Sequence, residues 1–384
     1  MIYLDNHSTT PVDKRVLKKM LPFFSVKFNN PHSQPTKYNH SIIQDIEKAR
    51  AEIAKLVGAD KEEIIFTSGA TESNNLAIKG MISKIKRGKN HFITLNTEHK
   101  CVLEALRKVE LEGAKVSILK VKKDGLIDIK MLRDIITEKT LMISIMIANN
   151  ETGVLQPIDK IGKLCKKKGI LFHTDAAQAV GKVKINVKKM NIDLMSISSH
   201  KFYGPKGIGA LYVRKKPRIR LNSLIDGGGQ EMNIRSGTLP VPLCIGFGEA
   251  AKIANKNMQK ESKKTKILRD YFFSKIKASF PDVVLNGSYK KRLPANLNIS
   301  IKNIDSELLI SKLTKTVISS GSACSSRELE PSSVLKGMGL KENIVRSALR
   351  IGFGRFSTKN DALSAAKEII KVAKEIRKND ISNI

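Results

Sequence analysis

One lysine sits where an apolar run gives way to a turn rich in hydroxyls and glycine. The segment Ser198-Ser199-His200-Lys201-Phe202-Tyr203-Gly204-Pro205-Lys206-Gly207 follows Leu194-Met195-Ser196-Ile197. An amine just beyond a buried strand, among hydroxyls and an imidazole, is placed to lose a proton. It can then form a Schiff base with an aldehyde cofactor. Pro205 with Gly204, Gly207 and Gly209 lets the backbone turn tightly beside a ligand. A single lysine is more often a solvated surface residue, so Lys201 alone decides nothing.

Three further segments extend the pattern. Ile65-Phe66-Thr67-Ser68-Gly69-Ala70-Thr71-Glu72-Ser73-Asn74 reads as a strand, a glycine turn and a helix start. Its N–H groups and dipole end form an anion site suited to phosphate, although the same residues also suit a plain helix cap. His173-Thr174-Asp175-Ala176-Ala177-Gln178 ends a strand with a carboxylate. Pyridoxal phosphate needs such a group against its ring nitrogen, because a protonated ring is the better electron sink. Thr97-Glu98-His99-Lys100 ends another strand with an imidazole that can stack on a flat ring or move a proton.

A thiol completes the set. Cys324 lies in Ser319-Ser320-Gly321-Ser322-Ala323-Cys324-Ser325-Ser326-Arg327-Glu328-Leu329-Glu330-Pro331. Small polar residues around one cysteine describe a solvent-reached loop, which suits a thiol that must visit both substrate and partner. A lone cysteine is more commonly a small buried hydrophobe, but the flanking polar run argues against burial here. Cys101, Cys165 and Cys244 lack such context and read as core or surface thiols.

These residues need a scaffold, and the hydrophobic pattern supplies one. Ile64 to Phe66, Phe92 to Leu95, Val116 to Val121, Leu141 to Ala148, Leu171-Phe172 and Leu194 to Ser198 read as buried strands. Helical patterns such as Thr71 to Lys86 and Lys160 to Lys168 fall between them, which predicts a mainly parallel sheet covered by helices. Leu211-Tyr212-Val213, after a glycine-rich turn, suits an added antiparallel strand. A charged helix over roughly Gly246 to Phe280 leads to a smaller unit. There Leu297 to Ile301, Val317-Ile318 and Leu349 to Ile351 predict one short sheet, closed by a helix from Lys359 to Lys378. The fold class is α/β, with a C-terminal α+β domain.

Bulk properties narrow the surroundings. With 27% charged and 41% hydrophobic residues, the 384-residue chain suits a soluble globular protein. No apolar stretch reaches the ~18 to 20 residues that span a bilayer, so no membrane partner is expected. The start Met1-Ile2-Tyr3-Leu4-Asp5 shows no signal peptide, and a cytoplasmic location is expected. Four scattered cysteines form neither a zinc pattern nor a disulfide framework, so no resident metal is expected. The net charge of +33 suits either a polyanion such as RNA or lysines spread over solvated faces. Only Arg214-Lys215-Lys216-Pro217-Arg218-Ile219-Arg220 is a compact basic run. No aromatic platform accompanies it, and direct nucleic-acid binding is not expected.

Together these segments resemble the fold-type-I pyridoxal-phosphate enzymes, and within them the cysteine desulfurases of the NifS/IscS branch. The resemblance runs from Leu4-Asp5-Asn6-His7-Ser8-Thr9-Thr10-Pro11 to Arg355-Phe356, nearly the whole chain. It implies a large domain over residues 15–260 on a mainly parallel seven-stranded sheet. Residues 1–14 and 261–384 then form the small domain that carries the cysteine loop. By the resemblance, Lys201 is the Schiff-base lysine, His99 stacks on pyridoxal 5'-phosphate and assists proton transfer, and Asp175 pairs with the ring nitrogen. Gln178 reaches the phenolic oxygen, and Asn150 contacts cofactor and substrate. Ala70, Thr71, Ser198 and His200 serve the phosphate, joined by Thr238 from a neighbouring subunit, so a homodimer is implied. Arg350 clamps the carboxylate of L-cysteine, as a guanidinium fork suits, while Arg355 reads as structural.

The same resemblance implies that Cys324 takes the sulfur as a persulfide and passes it to an Fe–S scaffold protein or another acceptor, with tRNA thiolation as one destination. Cys324 would be able to ligate a nascent Fe–S cluster transiently. Two departures stand out. Asn29-Asn30-Pro31-His32-Ser33 replaces the usual Gly-Asn-Pro, which predicts a positive φ at Asn29. The chain ends at Asn383-Ile384 without the longer tail common in the IscS type, so scaffold docking through that tail is not implied. A selenocysteine lyase or other cleaving enzyme would not need the thiol at Cys324. A basic RNA-binding protein on the same scaffold would not need Lys201.

Overall fold

Short runs of Ile, Phe, Leu and Val set the strands, because β-branched and aromatic side chains pack well on a pleated surface. The computed structural model describes residues 1–33, 36–85, 88–320 and 331–381. Its strands are β1 (Ile2–Tyr3), β2 (Ile64–Thr67), β3 (His91–Leu95), β4 (Lys115–Leu119), β5 (Thr140–Ser144), β6 (Leu171–Asp175) and β7 (Leu194–Ser198), then β8 (Gly209–Val213), β9 (Val284–Leu285), β10 (Asn296–Ser300), β11 (Thr316–Val317) and β12 (Ala348–Gly352). Seven of them form the central sheet in the order β2-β8-β7-β6-β5-β3-β4. Strands β3 to β7 run parallel, and β8 lies antiparallel between β2 and β7. This is the expected α/β class. Central strands such as β5 and β7 are buried along their whole length, as a sheet covered on both faces requires.

Helices cover both faces. In α1 (Lys37–Val57), Thr36 accepts from the Asn39 N–H, and Ile42, Ile46, Ala49 and Ile53 share one buried stripe. Gly58, at φ 73°, ends that helix with its N–H on the Ala54 carbonyl. Helices α2 (Ala70–Lys79) and α3 (Lys100–Leu111) pack on the opposite face, around Leu76, Phe92, Val102, Leu106 and Leu211. The long α4 (Val241–Ser279) buries Phe247, Ala250 and Ala254 with α1 and the sheet. Farther along, it buries Leu268, Phe272 and Ile276 in a second core with Leu297, Ile299, Leu349 and Ile351. Helix α5 (Lys359–Ile381) adds Ala362, Ala366 and Ile369 to that second core. Each Leu, Ile or Phe among these stabilises the fold by about 1.5–3 kcal/mol if fully buried.

Several expectations need correcting. Residues 316–317 do not join β10 and β12; β11 pairs with β1, and β9 takes the third place in the small sheet. Hydrophobic runs report burial but not which strand supplies the partner N–H groups. The apolar run to Ala148 leaves its ladder after Ser144, although Ile145 and Ile147 still donate to the carbonyls of His173 and Asp175. Helix α4 starts at Val241, five residues earlier than the pattern indicated, because prolines are tolerated in a first turn. Asn29 does not take a positive φ. Asn30 makes that turn instead: its side chain accepts from the His32 N–H and its carbonyl from Ser33, with Pro31 next in the turn.

Candidate active site

Parallel strands bring their carboxyl ends to one sheet edge, and α/β proteins bind ligands in the crevice there. Segments following β2, β3, β5, β6 and β7 line one cavity of about 420 Å³. Ala70 and Thr71, the first residues of α2, form one wall, with Ser198 at the end of β7 and His200 and Lys201 just after it. His99, Asn150, Asp175 and Gln178 contribute from three other segments, and Arg350 comes from β12 of the small sheet. Ten of the expected site residues therefore meet. Thr238 is exposed and does not line this cavity, and Cys324 lies outside the described residues.

The Lys201 amine donates to the carbonyls of His7 and Ser8 at 2.9 and 2.6 Å, so the amino-terminal segment anchors it. Asp175 is 7% exposed; its Oδ1 accepts from the Ala177 N–H at 2.9 Å and its Oδ2 from the Asn74 amide at 2.7 Å. Gln178 donates to the His7 carbonyl, and its Oε1 accepts from Lys182 at 2.9 Å. Arg350 is 2% exposed; Nη2 donates to Asp5 at 2.9 Å and Nη1 to the Asn150 carbonyl at 3.2 Å. Arg355 lies elsewhere, paired with Asp13 and Glu261 at 2.7 and 2.8 Å and packed over the Tyr203 ring, which suits its structural reading.

Burial sets the charge states around the cavity. It pushes His200 down to about 4, with Lys201 and Lys206 adding to the effect. Burial likewise holds Lys182 down at about 7, and Lys201 and Arg350 reinforce it. Burial pushes Glu98 well above the ordinary carboxyl range, and nearby Asp175 adds to the effect. Glu151 rises to about 7 through burial, against the Ser332 hydroxyl that donates to it and the charge of Arg350.

Pyridoxal phosphate can be tested against these groups. Gly69 offers no side chain to cap α2, and the first N–H groups of a helix lack intrahelical partners, so that end suits a phosphate. A Cβ on Gly209 would sit 2.6 Å from the Gly69 Cα, so only glycine permits this close approach. Asn150 Oδ1, His7 Nε2 and Arg350 Nε are buried without partners and all belong to cavity-lining residues. Orphaned polar atoms of this kind are expensive unless a ligand satisfies them. An anion site, an amine, a carboxylate and buried polar atoms without partners fit the cofactor and an amino-acid substrate.

Sequence reasoning missed several participants. Cys101 lines the cavity rather than filling the core, unlike the buried Cys165 and Cys244. Asn74, Asp5, Glu151 and the carbonyls of His7 and Ser8 also went unassigned. Only Cys101 carried a local signal: it lies two residues after His99, within capping reach at the start of a helix.

Such a pocket at the carboxyl edge of this sheet defines the class of fold-type-I pyridoxal-phosphate enzymes. Residues 2–363 match the model of the aminotransferase class-V family, and the chain belongs to that family. Among its relatives, cysteine desulfurase IscS of Ehrlichia chaffeensis is 50% identical over 377 residues, covering 98% of this chain and 92% of the relative. Cysteine desulfurase IscS of Rickettsia bellii is 50% identical over 376 residues, with the same coverage. A solved NifS-like protein aligns with a TM-score of 0.90 at 34% identity, covering 97% of this chain and 98% of its own. SspA in complex with cysteine aligns at 0.83 with 39% identity, covering 93% and 100%.

Proposed function

We propose that this chain is a pyridoxal-phosphate-dependent cysteine desulfurase that converts L-cysteine to L-alanine and keeps the sulfur as a persulfide on Cys324. The observation that carries the reading is one cavity uniting the Lys201 amine, the Asp175 carboxylate, the His99 imidazole and the Arg350 guanidinium. Two relatives of nearly full coverage, both named cysteine desulfurase IscS, support the same substrate.

Ala70, Thr71, Ser198 and His200 would hold the cofactor's phosphate. Asp175 would face its ring nitrogen, with Gln178 and Asn150 at its oxygen. When bound, the cofactor supplies an aldehyde that accepts the substrate amine and an electron-poor ring that stabilises negative charge at Cα. Arg350 takes the substrate carboxylate on its guanidinium and so orients the thiol group. Lys201 holds the cofactor and then carries the proton removed from Cα, while His99 holds or delivers a proton near the substrate sulfur. The Cys324 thiolate attacks that sulfur. One S–S bond forms and the substrate C–S bond breaks, its electron pair staying with the carbon part, which takes up a proton and leaves as alanine. The thiol of Cys324 thereby becomes a persulfide, available to an Fe–S scaffold or a tRNA-thiolating acceptor.

We also infer a homodimer in which Thr238 serves the other copy's phosphate. Its exposure outside the cavity and the exposed apolar Leu224, Ile225 and Met232 nearby support this. The division into residues 15–260 and 1–14 with 261–384 finds support in the separate core around Leu4, Phe272 and Ile299. Among the described residues no helix is long and apolar enough to cross a membrane.

Purified protein supplied with pyridoxal phosphate and cysteine tests the proposal. It should turn yellow, release alanine and gain the mass of one sulfur at Cys324. Lys201→Ala should lose the visible absorbance, and Cys324→Ser should keep it while forming no persulfide. Colourless protein, or sulfur release by Cys324→Ser, overturns the proposal.

A further inference from the structure

His99 caps helix α3, and its neighbours determine which ring nitrogen carries the proton. The backbone N–H of Cys101 donates to His99 Nδ1 at 3.2 Å. A backbone N–H can only donate, so Nδ1 is an acceptor and the neutral ring keeps its proton on Nε2. The Cys101 sulfur lies 3.0 Å from the same Nδ1. With Nδ1 already an acceptor, this contact is an S–H donating to nitrogen.

The other side of that sulfur is also engaged. Asn74, fully buried, uses its amide nitrogen twice: toward Asp175 Oδ2 at 2.7 Å and toward Cys101 Sγ at 3.2 Å. Its two hydrogens allow both bonds. The reversed amide would set an oxygen against a carboxylate, so the orientation is settled by charge. Every donor and acceptor then agrees along one chain, from the Asp175 carboxylate through the Asn74 amide and the Cys101 thiol to His99 Nδ1.

We propose that Asn74 and Cys101 are positioning residues that hold His99 with its proton on Nε2, so that the uncharged imidazole acts as a proton donor coupled to Asp175. This rests on the reading of the pocket as a pyridoxal-phosphate site in which His99 serves proton transfer. Cys101 lines the cavity, but no step in this scheme uses its thiol directly. It acts only through His99. Hydrogen-bond chains in a pocket of this kind reinforce one another, and removing a middle member weakens the whole.

The test uses full-length protein labelled with ¹⁵N-histidine, with and without pyridoxal phosphate, and a His99→Gln variant to assign the signal. Wild-type His99 should show an unprotonated Nδ1 and a protonated Nε2 in both samples. Cys101→Ala should shift the His99 nitrogens and lower kcat by roughly 10-fold, with KM for cysteine changing far less, as loss of aim at a general acid predicts. Cys101→Ser, which keeps a donor, should restore most of both. Asn74→Ala combined with Cys101→Ala should be no slower than the worse single variant, because the two act as a unit. A proton on Nδ1 in the wild type, unchanged nitrogens and kcat in Cys101→Ala, or effects that multiply in the double variant would each overturn the inference. Failure of the pocket reading is seen separately, as absent colour and absent persulfide, while the cofactor-free spectrum still reports the tautomer.

Discussion

At the scale of single residues, this site is controlled by what burial does to charge. Glu151 is 6% exposed and titrates at about 7 in the folded chain, above its ordinary 4.5. A carboxyl whose folded value is raised favours folding fully below about 4.5, and that contribution is lost as pH rises through about 7. The shift corresponds to on the order of 3 kcal/mol. Glu151→Gln keeps the neutral form and still accepts from the Ser332 hydroxyl. Thermal melts across that pH window should therefore show the variant gaining on the wild type as pH rises. Parallel curves for the two proteins would show that Glu151 is already ionised when folded. The cavity-lining cysteine carries the opposite lesson about reading residues singly. Its place two residues after His99 was the one local hint that set Cys101 apart from Cys165, and the partner that reveals its role, Asn74, lies 27 positions away.

Among elements, the segment after β8 is held in a costly shape by one buried ion pair. Glu231, Met232 and Asn233 take left-handed φ values of 48, 60 and 62° in succession. Side chains with a Cβ rarely adopt that conformation, so the surroundings must impose it. Arg50 of α1 donates to both Glu231 oxygens at 2.7 Å, and the Phe66 N–H of β2 adds a third bond at 2.6 Å. Arg50→Met would leave a buried carboxylate without its cation, which costs about 3–5 kcal/mol. Adding Glu231→Gln to that variant should recover part of the loss in chemical denaturation, because no net charge then stays buried. A double variant less stable than Arg50→Met would show that the charge itself was not the problem. Thr238 follows this segment closely, so the pair also sets the course of the chain toward the proposed subunit contact.

For the whole molecule, the proposed homodimer predicts that one chain does not complete its own site. Thr238 is exposed and lies outside the cavity that holds Lys201. Lys201→Ala subunits exchanged with Thr238→Ala subunits should recover desulfurase activity above the sum of the two parents. One site of each mixed dimer then has its own lysine and the other copy's threonine. No recovery after exchange, or a one-chain mass in sedimentation, would remove Thr238 from the site. The charge of +33 enters at this scale too, as a surface field that weakens with salt.

Local patterns in the chain determined a good deal by themselves. Buried strands need continuous apolar runs, so all seven central strands, the antiparallel β8 among them, were legible from hydrophobicity. The candidate site residues fall where those runs stop, because a chain leaving a sheet exposes its next residues at the sheet edge. Lys201, Asp175, His99 and the start of α2 were readable for that reason. What tertiary structure alone decided is which distant atoms meet. Pairing of β11 with β1, the anchoring of the Lys201 amine on the carbonyls of His7 and Ser8, and the Asp5–Arg350 pair all join residues more than 190 positions apart. Hydrogen bonds over such separations depend on how the two cores pack together, and no local spacing encodes that.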